Sequence, residues 1–282
     1  MEPFVRQTND GKPSLHMLQS WIEEMPGLTA GITGREGGVS GEPWRSLNCA
    51  FHVGDDPEAV IRNRQLVTEA LGWTLEAWTC AEQVHGTAVF RVMGKDRGSG
   101  SVSRESAIPG ADAIMTDVPG VLLASFYADC VPLFFLDPVN HAAALAHAGW
   151  KGTVGGIARN TIEAMSSAYG TDPASLRCAI GPSIGACCYE VYGPVKEQIT
   201  EAAERLSEEN GTPADTLVTR TGDGTARVNL KEINRQIMIK AGILATNIEI
   251  TKQCTGCLTG EFYSHRVEQG RAGRMASFIG FA

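Results

Sequence analysis

Ala113-Ile114-Met115, Val121-Leu122-Leu123-Ala124-Ser125-Phe126-Tyr127, Val131-Pro132-Leu133-Phe134-Phe135-Leu136 and Ala142-Ala143-Ala144-Leu145-Ala146 are four β-prone runs that follow one another along the chain. A strand's two-residue period separates its side chains onto two faces, and here both faces are apolar. That is the pattern of strands covered on both sides, not of strands with one solvated face. The reading is a central sheet with a layer packed on each side of it.

Further runs join this sheet set. Leu28 to Thr33 reads as a strand, two short β-prone runs flank Gly86 between Thr79 and Val92, and Leu176 to Ile180, Ile248 to Thr251 and Met275 to Phe281 complete it. Helices are expected between them. Asp56 can cap one that opens on Pro57, carries an apolar stripe at Val60, Val67 and Leu71, and stops near Gly72. Gly152 to Tyr169, Pro194 to Leu206 and Leu230 to Ala241, the last capped by Asn229, read as three more. Helices alternate irregularly with clusters of strands, so the spacing predicts a layered α+β, or mixed α/β, sandwich.

The 282 residues carry 24 Lys and Arg against 32 Asp and Glu, a formal charge of −8, with 43% hydrophobic and 20% charged residues. This balance belongs to folded globular chains and excludes disorder as the main state. No composition shift or linker marks a boundary, so residues 1–282 are read as one domain. Nucleic acid is a poor partner for an acidic chain without a basic cluster, and a small molecule is expected. The longest apolar stretch, Val121 to Leu136, is interrupted by Asp129 and Pro132 and falls short of the roughly 18 residues of a membrane helix. Met1 to Arg6 and the polar run Gln7 to Ser14 do not resemble a secretion signal, so a cytoplasmic protein is expected. In a reducing compartment the eight cysteines are apolar fillers, metal ligands or nucleophiles rather than a disulfide framework.

Two of the six histidines stand in unusual company. His85 lies in Glu82-Gln83-Val84-His85-Gly86 at the end of an expected strand, and His147 lies in Ala146-His147-Ala148-Gly149-Trp150-Lys151-Gly152 where a strand gives way to glycines. Between them, Ala128-Asp129-Cys130-Val131-Pro132 places a cysteine at a break between two strands. Two imidazoles and a thiolate suffice for a catalytic zinc site whose fourth position stays open. They also suit hydrogen-bonded core histidines beside a buried thiol, and the residues alone leave both readings standing. The glycine-rich segment from Gly149 to Gly156, with Lys151 and Thr153, could cradle an anion at a helix start, and Arg35 and Arg266 could clamp one. Solvated surface and turn geometry are the alternatives. Cys254-Thr255-Gly256-Cys257 is a lone Cys-x-x-Cys without a visible second pair, and Cys187 and Cys188 are adjacent. These four, with Cys49, Cys80 and Cys178, are read as packed structural thiols.

Taken in order, these motifs resemble a family. Arg35-Glu36-Gly37-Gly38-Val39-Ser40, Ser46-Leu47-Asn48, His52-Val53-Gly54-Asp55-Asp56, Asn63-Arg64, Gln83-Val84-His85-Gly86, Ala128-Asp129-Cys130-Val131-Pro132, His147-Ala148-Gly149-Trp150, Ile180-Gly181-Pro182-Ser183-Ile184-Gly185, Cys188-Tyr189-Glu190-Val191 and Phe262-Tyr263-Ser264-His265-Arg266 are similar to those of the bacterial laccase-domain proteins. These have also been called multicopper polyphenol oxidoreductases, peptidoglycan editing factors and purine nucleoside phosphorylases. One departure is Lys151, where the family pattern has arginine, which removes a bidentate anion contact at that point.

The resemblance implies a four-layer α/β/β/α sandwich with two internally related halves and a metal site at His85, Cys130 and His147. Zinc is the implied metal, with copper possible. The implied reaction is phosphorolysis of adenosine, inosine and methylthioadenosine to free base and the sugar 1-phosphate, with adenosine deamination as a second activity. Asp129 would handle protons, and Arg35, Asn48, Gln83, Lys151 and Arg266 would contact nucleoside or phosphate. A monomer or small homo-oligomer is expected. Two other chemistries fit the same residues. A His2Cys set can hold copper for phenol oxidation, although a multicopper oxidase needs more imidazoles than remain. Cys130 with His147 or His85 could act as a cysteine hydrolase, on peptidoglycan precursors for instance.

Overall fold

The structure, a computed structural model, describes residues 2–7, 11–222 and 224–282. Met1 and residues 8–10 of the expected polar run lie outside them. The expected strands assemble into two six-stranded sheets. One runs in the order Phe4–Gln7, Leu15–Leu18, Leu28–Thr33, Met275–Phe281, Leu122–Tyr127, Trp78–Cys80. The other runs Ile248–Ile250, Arg177–Ile180, Val131–Asp137, Ala142–Ala148, Ala113–Thr116, Val89–Arg91.

The strand Val131–Asp137 shows why both faces had to be apolar. Phe134 and Leu136 point toward the first sheet and share a core with Ile32, Leu123 and Ile279. Leu133 and Phe135 point the other way, toward Ile162 and Met165 of helix Ile157–Tyr169 and Ile233 of helix Leu230–Lys240. Each such fully buried Phe or Leu contributes about 1.5–3 kcal/mol of transfer free energy. The outer face of the first sheet, through Leu122, Ala124 and Phe278, packs on Val67 of helix Pro57–Leu71. The layers are therefore α/β/β/α, as the resemblance implied. Both sheets also begin at one edge with a parallel pair and continue with three antiparallel pairings. In the topology, this shared order corresponds to the implied relation between halves.

The caps follow the sequence. Asp56 accepts the Glu58 N–H at 3.1 Å, and Asn229 accepts that of Glu232 at 3.2 Å. The expected helix from Gly152 to Tyr169 is instead two, Trp150–Gly155 and Ile157–Tyr169, because Gly156 turns to φ +82° and ends the first. A small antiparallel sheet of Glu190–Tyr192, Thr225–Val228 and Val218–Gly222 was not expected from the sequence. It holds Val191 against the helix Gly193–Asn210 at the edge of the cleft described below. No helix among the described residues is long and apolar enough to cross a membrane.

Candidate metal centre and cleft

Strand register brings three of the expected residues together. Val131 lies opposite Ala148 and Pro132 opposite His147, so Cys130, at the head of its strand, comes alongside the histidine at the end of the neighbouring one. His85 arrives from the turn after Gln83. The ligand atoms of His85, Cys130 and His147 all lie within 4.8 Å of one another, with His85 Nε2 3.9 Å from Cys130 Sγ. The two imidazoles meet edge to face, their centroids 4.8 Å apart. Gly149 keeps the space open, since a Cβ there would sit 3.1 Å from both Cys130 Sγ and His85 Cδ2. His85 at φ +59° and Asp129 at φ +84° hold left-handed backbone that side chains seldom adopt, a strain that marks functional sites.

One residue that fixes this arrangement escaped the sequence reading. Asp112, 2% exposed, immediately precedes the strand Ala113–Thr116 that lies next to that of His147. Its Oδ1 accepts the His85 N–H at 2.9 Å and lies 2.9 Å from His147 Nδ1, while Oδ2 accepts the N–H groups of Val84 at 3.1 Å and Gly86 at 2.6 Å. The carboxylate thus ties down the His85 turn and keeps a proton of His147 on Nδ1, so that Nε2 is the nitrogen that faces Cys130 and would give up its own proton to bind a metal. The only sequence signal was an acidic residue at the entry of an apolar strand.

The charges agree with a ligand set. Burial pushes the Cys130 thiol up, but the charge of His147 and hydrogen bonds from both imidazoles outweigh it and bring its pKa down to about 6. Burial would lower His147, yet the Cys130 thiolate and Asp112 raise it to about 9. The thiolate is the form that binds a soft cation, and a His2Cys set with His85 exposed at its edge could hold zinc with one position open. Among the described residues the other four histidines join no metal-holding group, so nothing is assembled for a trinuclear copper cluster.

The remaining expected residues separate. Arg266 lines the cleft beside the centre, its guanidinium 5.2 Å from the Tyr189 ring and bonded to the Glu190 carbonyl at 2.7 Å. Asp129 also lines it, but its two oxygens are occupied by Thr255 Oγ1 at 2.6 Å and the Arg266 N–H at 2.7 Å. Lys151 is exposed beside Trp150, and Thr153 is buried and bonded to Asn234, so the glycine segment forms no common cradle. Gln83 pairs with the backbone of Phe126 through both amide atoms, at 2.9 and 2.8 Å, and so anchors the His85 turn. Arg35 is spent on the Thr259 carbonyl at 2.6 Å and Glu268 at 3.0 Å. Asn48 is fully buried and satisfied by Asp55, Ala50 and Arg274. Neither Arg35 nor Asn48 lines either cavity at His85.

Two cavities meet at His85. A cleft of about 490 Å³ is walled by Trp150, Ile184, Tyr189, Val191, Tyr192 and Arg266. A smaller one of about 270 Å³ is lined by Phe51, His52, Arg64, Gln83, Arg104 and Phe126. Apart from the centre, Cys187, Cys188, Cys254 and Cys257 also converge, with their sulfurs within 4.8 Å of one another. The second pair that the Cys-x-x-Cys lacked is the adjacent pair, which corrects the reading of four separate packed thiols.

Fold and centre together place the chain in a class. Residues 29–282 match the multi-copper polyphenol oxidoreductase laccase family, and the chain belongs to it. It is 41% identical over 254 residues to the purine nucleoside phosphorylase YlmD of Geobacillus stearothermophilus, covering 90% of each chain. The Bacillus subtilis purine nucleoside phosphorylase YlmD is 37% identical over 271 residues, 95% of each. Among solved structures, a Bacillus licheniformis hypothetical protein, YfiH, superimposes with a TM-score of 0.90 at 37% identity, and Geobacillus stearothermophilus YlmD with 0.89 at 38%, each over 99% of both chains.

Proposed function

We propose that the chain is a purine nucleoside phosphorylase working at the His85, Cys130 and His147 centre, with zinc as its metal and adenosine, inosine and methylthioadenosine as substrates. The observation that carries this reading is a three-ligand centre shared by an aromatic-walled cleft of nucleoside size and a smaller cavity lined by Arg64 and Arg104. Relatives at 41% and 37% identity bear the name of that activity.

In phosphorolysis a phosphate oxygen bonds to C1′ of the sugar as the C1′–N9 bond breaks, and a proton reaches the departing purine. The sugar passes through an oxocarbenium-like state, so the protein must hold both reactants in line and neutralise charge growing on the base. Trp150, Tyr189 and Tyr192 offer apolar rings to the purine, and Arg266 reaches the same cleft. The smaller cavity suits phosphate. Arg64 lines it, is 1% exposed, donates only to the carbonyls of Cys49, Gly100 and Ser101, and has no carboxylate partner among the described residues. Arg104 lines it as well, paired with Glu82 of the same wall at 2.7 Å, and His52, whose pKa burial and Arg274 lower to about 4, adds a neutral imidazole. The phosphate assignment thus moves from Arg35 and Lys151, which line neither cavity, and from Arg266, which lies in the nucleoside cleft, to Arg64 and Arg104. Asp129 serves to position the Thr255 and Arg266 loops around the cleft. Zinc, when bound by His85, Cys130 and His147, supplies Lewis-acid activation beside the base and suits adenosine deamination as the second activity.

The test is to incubate the protein with adenosine or inosine, with and without inorganic phosphate, and to separate base, sugar 1-phosphate and deaminated nucleoside. Base release that requires phosphate and appears with equimolar ribose 1-phosphate is expected; release indifferent to phosphate would sink the proposal. The lowered Cys130 pKa supports a second reading, a cysteine nucleophile with His147 as base. Activity lost on alkylation and untouched by chelation would favour it.

A further inference from the structure

The tight grouping of Cys187, Cys188, Cys254 and Cys257 has no part in the proposed reaction. The loop after Ile180 and the loop after Ile250 leave the same sheet edge, because those residues are parallel neighbours in register. Ser183 then bridges to Cys254, and the Thr255 N–H donates to the Ser183 carbonyl at 3.1 Å. The two cysteine pairs are set face to face as a result. Cys257 Sγ lies 3.5 Å from Cys187 Sγ and 3.4 Å from Cys188 Sγ. Four sulfurs at about 2.3 Å from a central zinc stand about 3.8 Å apart along the edges of a tetrahedron, so these separations are close to what one ion requires.

One of the sulfurs has a backbone donor. The Gly185 N–H donates to Cys254 Sγ at 3.1 Å. Gly256 lets the loops close, since a Cβ there would sit 2.9 Å from Cys188 Cβ and 3.1 Å from its sulfur. Lys231, 7% exposed, donates to the carbonyls of Thr251 at 3.1 Å and Gln253 at 2.7 Å and makes no ion pair among the described residues. Its charge acts on Cys254 and Cys187 and offsets one of the two surplus negative charges of four thiolates around a divalent cation. All-sulfur tetrahedral sets with no open position belong to structural sites, and their softness selects zinc over hard cations.

We propose that Cys187, Cys188, Cys254 and Cys257 form a second, structural zinc site that staples the loop carrying Ile184 and Tyr189 of the cleft wall to the loop packed behind it. The first loop runs from this site straight into Tyr189 and Val191 of the cleft. In the second, Thr255 stands between two of the ligands and donates to Asp129, the neighbour of Cys130. The site fixes where that wall stands and takes no part in bond making.

The test is metal content by mass spectrometry on the whole protein expressed with zinc, for the wild type, Cys257→Ser, Cys130→Ala and the double variant. Two zinc ions per chain are expected in the wild type, one in each single variant and none in the double variant. One ion lost in Cys130→Ala and unaffected by Cys257→Ser overturns the second site. One ion lost only in Cys257→Ser supports it and overturns the metal of the proposed reaction instead. Should Cys257→Ser fail to fold, anomalous diffraction from wild-type crystals at the zinc edge replaces it. A peak among the four sulfurs is expected; a disulfide between any two of the four, or iron at that position, refutes the assignment.

Discussion

Replacing Asp112 by Asn changes one atom in a position where all four hydrogen-bond partners are donors. Three are backbone N–H groups, of Val84, His85 and Gly86, and the fourth is His147 Nδ1. The amide keeps one acceptor oxygen. If that oxygen stays with Val84 and Gly86, the new NH2 faces the His85 N–H and His147. The imidazole can then accept at Nδ1 only by moving its proton to Nε2, the nitrogen that a metal needs. One half-buried N–H, that of His85, still loses its partner, at a penalty of up to about 1–3 kcal/mol. The opposite flip leaves two backbone donors unpaired and costs about twice as much. Groups that orient metal-bound histidines are worth about 10- to 100-fold in metal affinity. The expected outcome for Asp112→Asn is a folded protein destabilised by about 1–3 kcal/mol in urea unfolding, with zinc bound about 10- to 100-fold more weakly at one of its sites in competition with a chromophoric chelator. Unchanged zinc affinity would refute the claim that Asp112 sets the tautomer of His147.

Other outcomes are equally open to measurement. Gly149→Ala places a methyl group 3.1 Å from both Cys130 Sγ and His85 Cδ2, so a folded variant with weakened zinc binding is expected; calorimetry of metal binding reads it, and wild-type affinity would contradict the crowding argument. Arg104→Gln should raise the KM for phosphate several-fold and leave that for nucleoside little changed, which initial rates at varied phosphate will show. His16 is fully buried, its ring tilted against Phe262 with centroids 4.7 Å apart, and burial together with Arg6 lowers its pKa to about 4 despite Glu261 at 3.9 Å. The unfolded imidazole takes up its proton near 6.5, so between about pH 6.5 and 4 the unfolded state binds more protons and stability falls as the pH falls. The loss approaches about 3 kcal/mol at the acid end, and His16→Leu should flatten that limb of a urea-unfolding pH profile.

The parts of this molecule that were legible are those fixed by local pattern. Apolar runs such as Val131 to Leu136 announced strands buried on both sides, and Asp56-Pro57 and Asn229 announced helix starts, because burial and capping act within a few residues. The histidines and Cys130 stood out because polar side chains at the ends of apolar strands have few structural uses. What stayed hidden depends on register between distant segments. Asp112 matters only because Ala113 pairs with Ala146, which puts the carboxylate beside His147. The four-cysteine cluster exists only because Ile180 and Ile250 are parallel neighbours, which no spacing within either cysteine pair reveals. Arg35 and Asn48 went the other way: their motif position suggested substrate contact, and the fold spends their hydrogen bonds on loops. The break at Gly156 was missed because a glycine within a helical pattern is more often tolerated than decisive.

The most direct test of the central claim is phosphate-dependent release of adenine from adenosine by wild type and Cys130→Ala, at matched protein concentration with unfolding curves recorded for both. The account predicts that the variant remains folded and loses at least about 100-fold in rate, since a three-ligand centre without its thiolate no longer holds its metal. A folded Cys130→Ala protein that still releases adenine at the wild-type rate, or a wild type whose adenine release ignores phosphate, would contradict it.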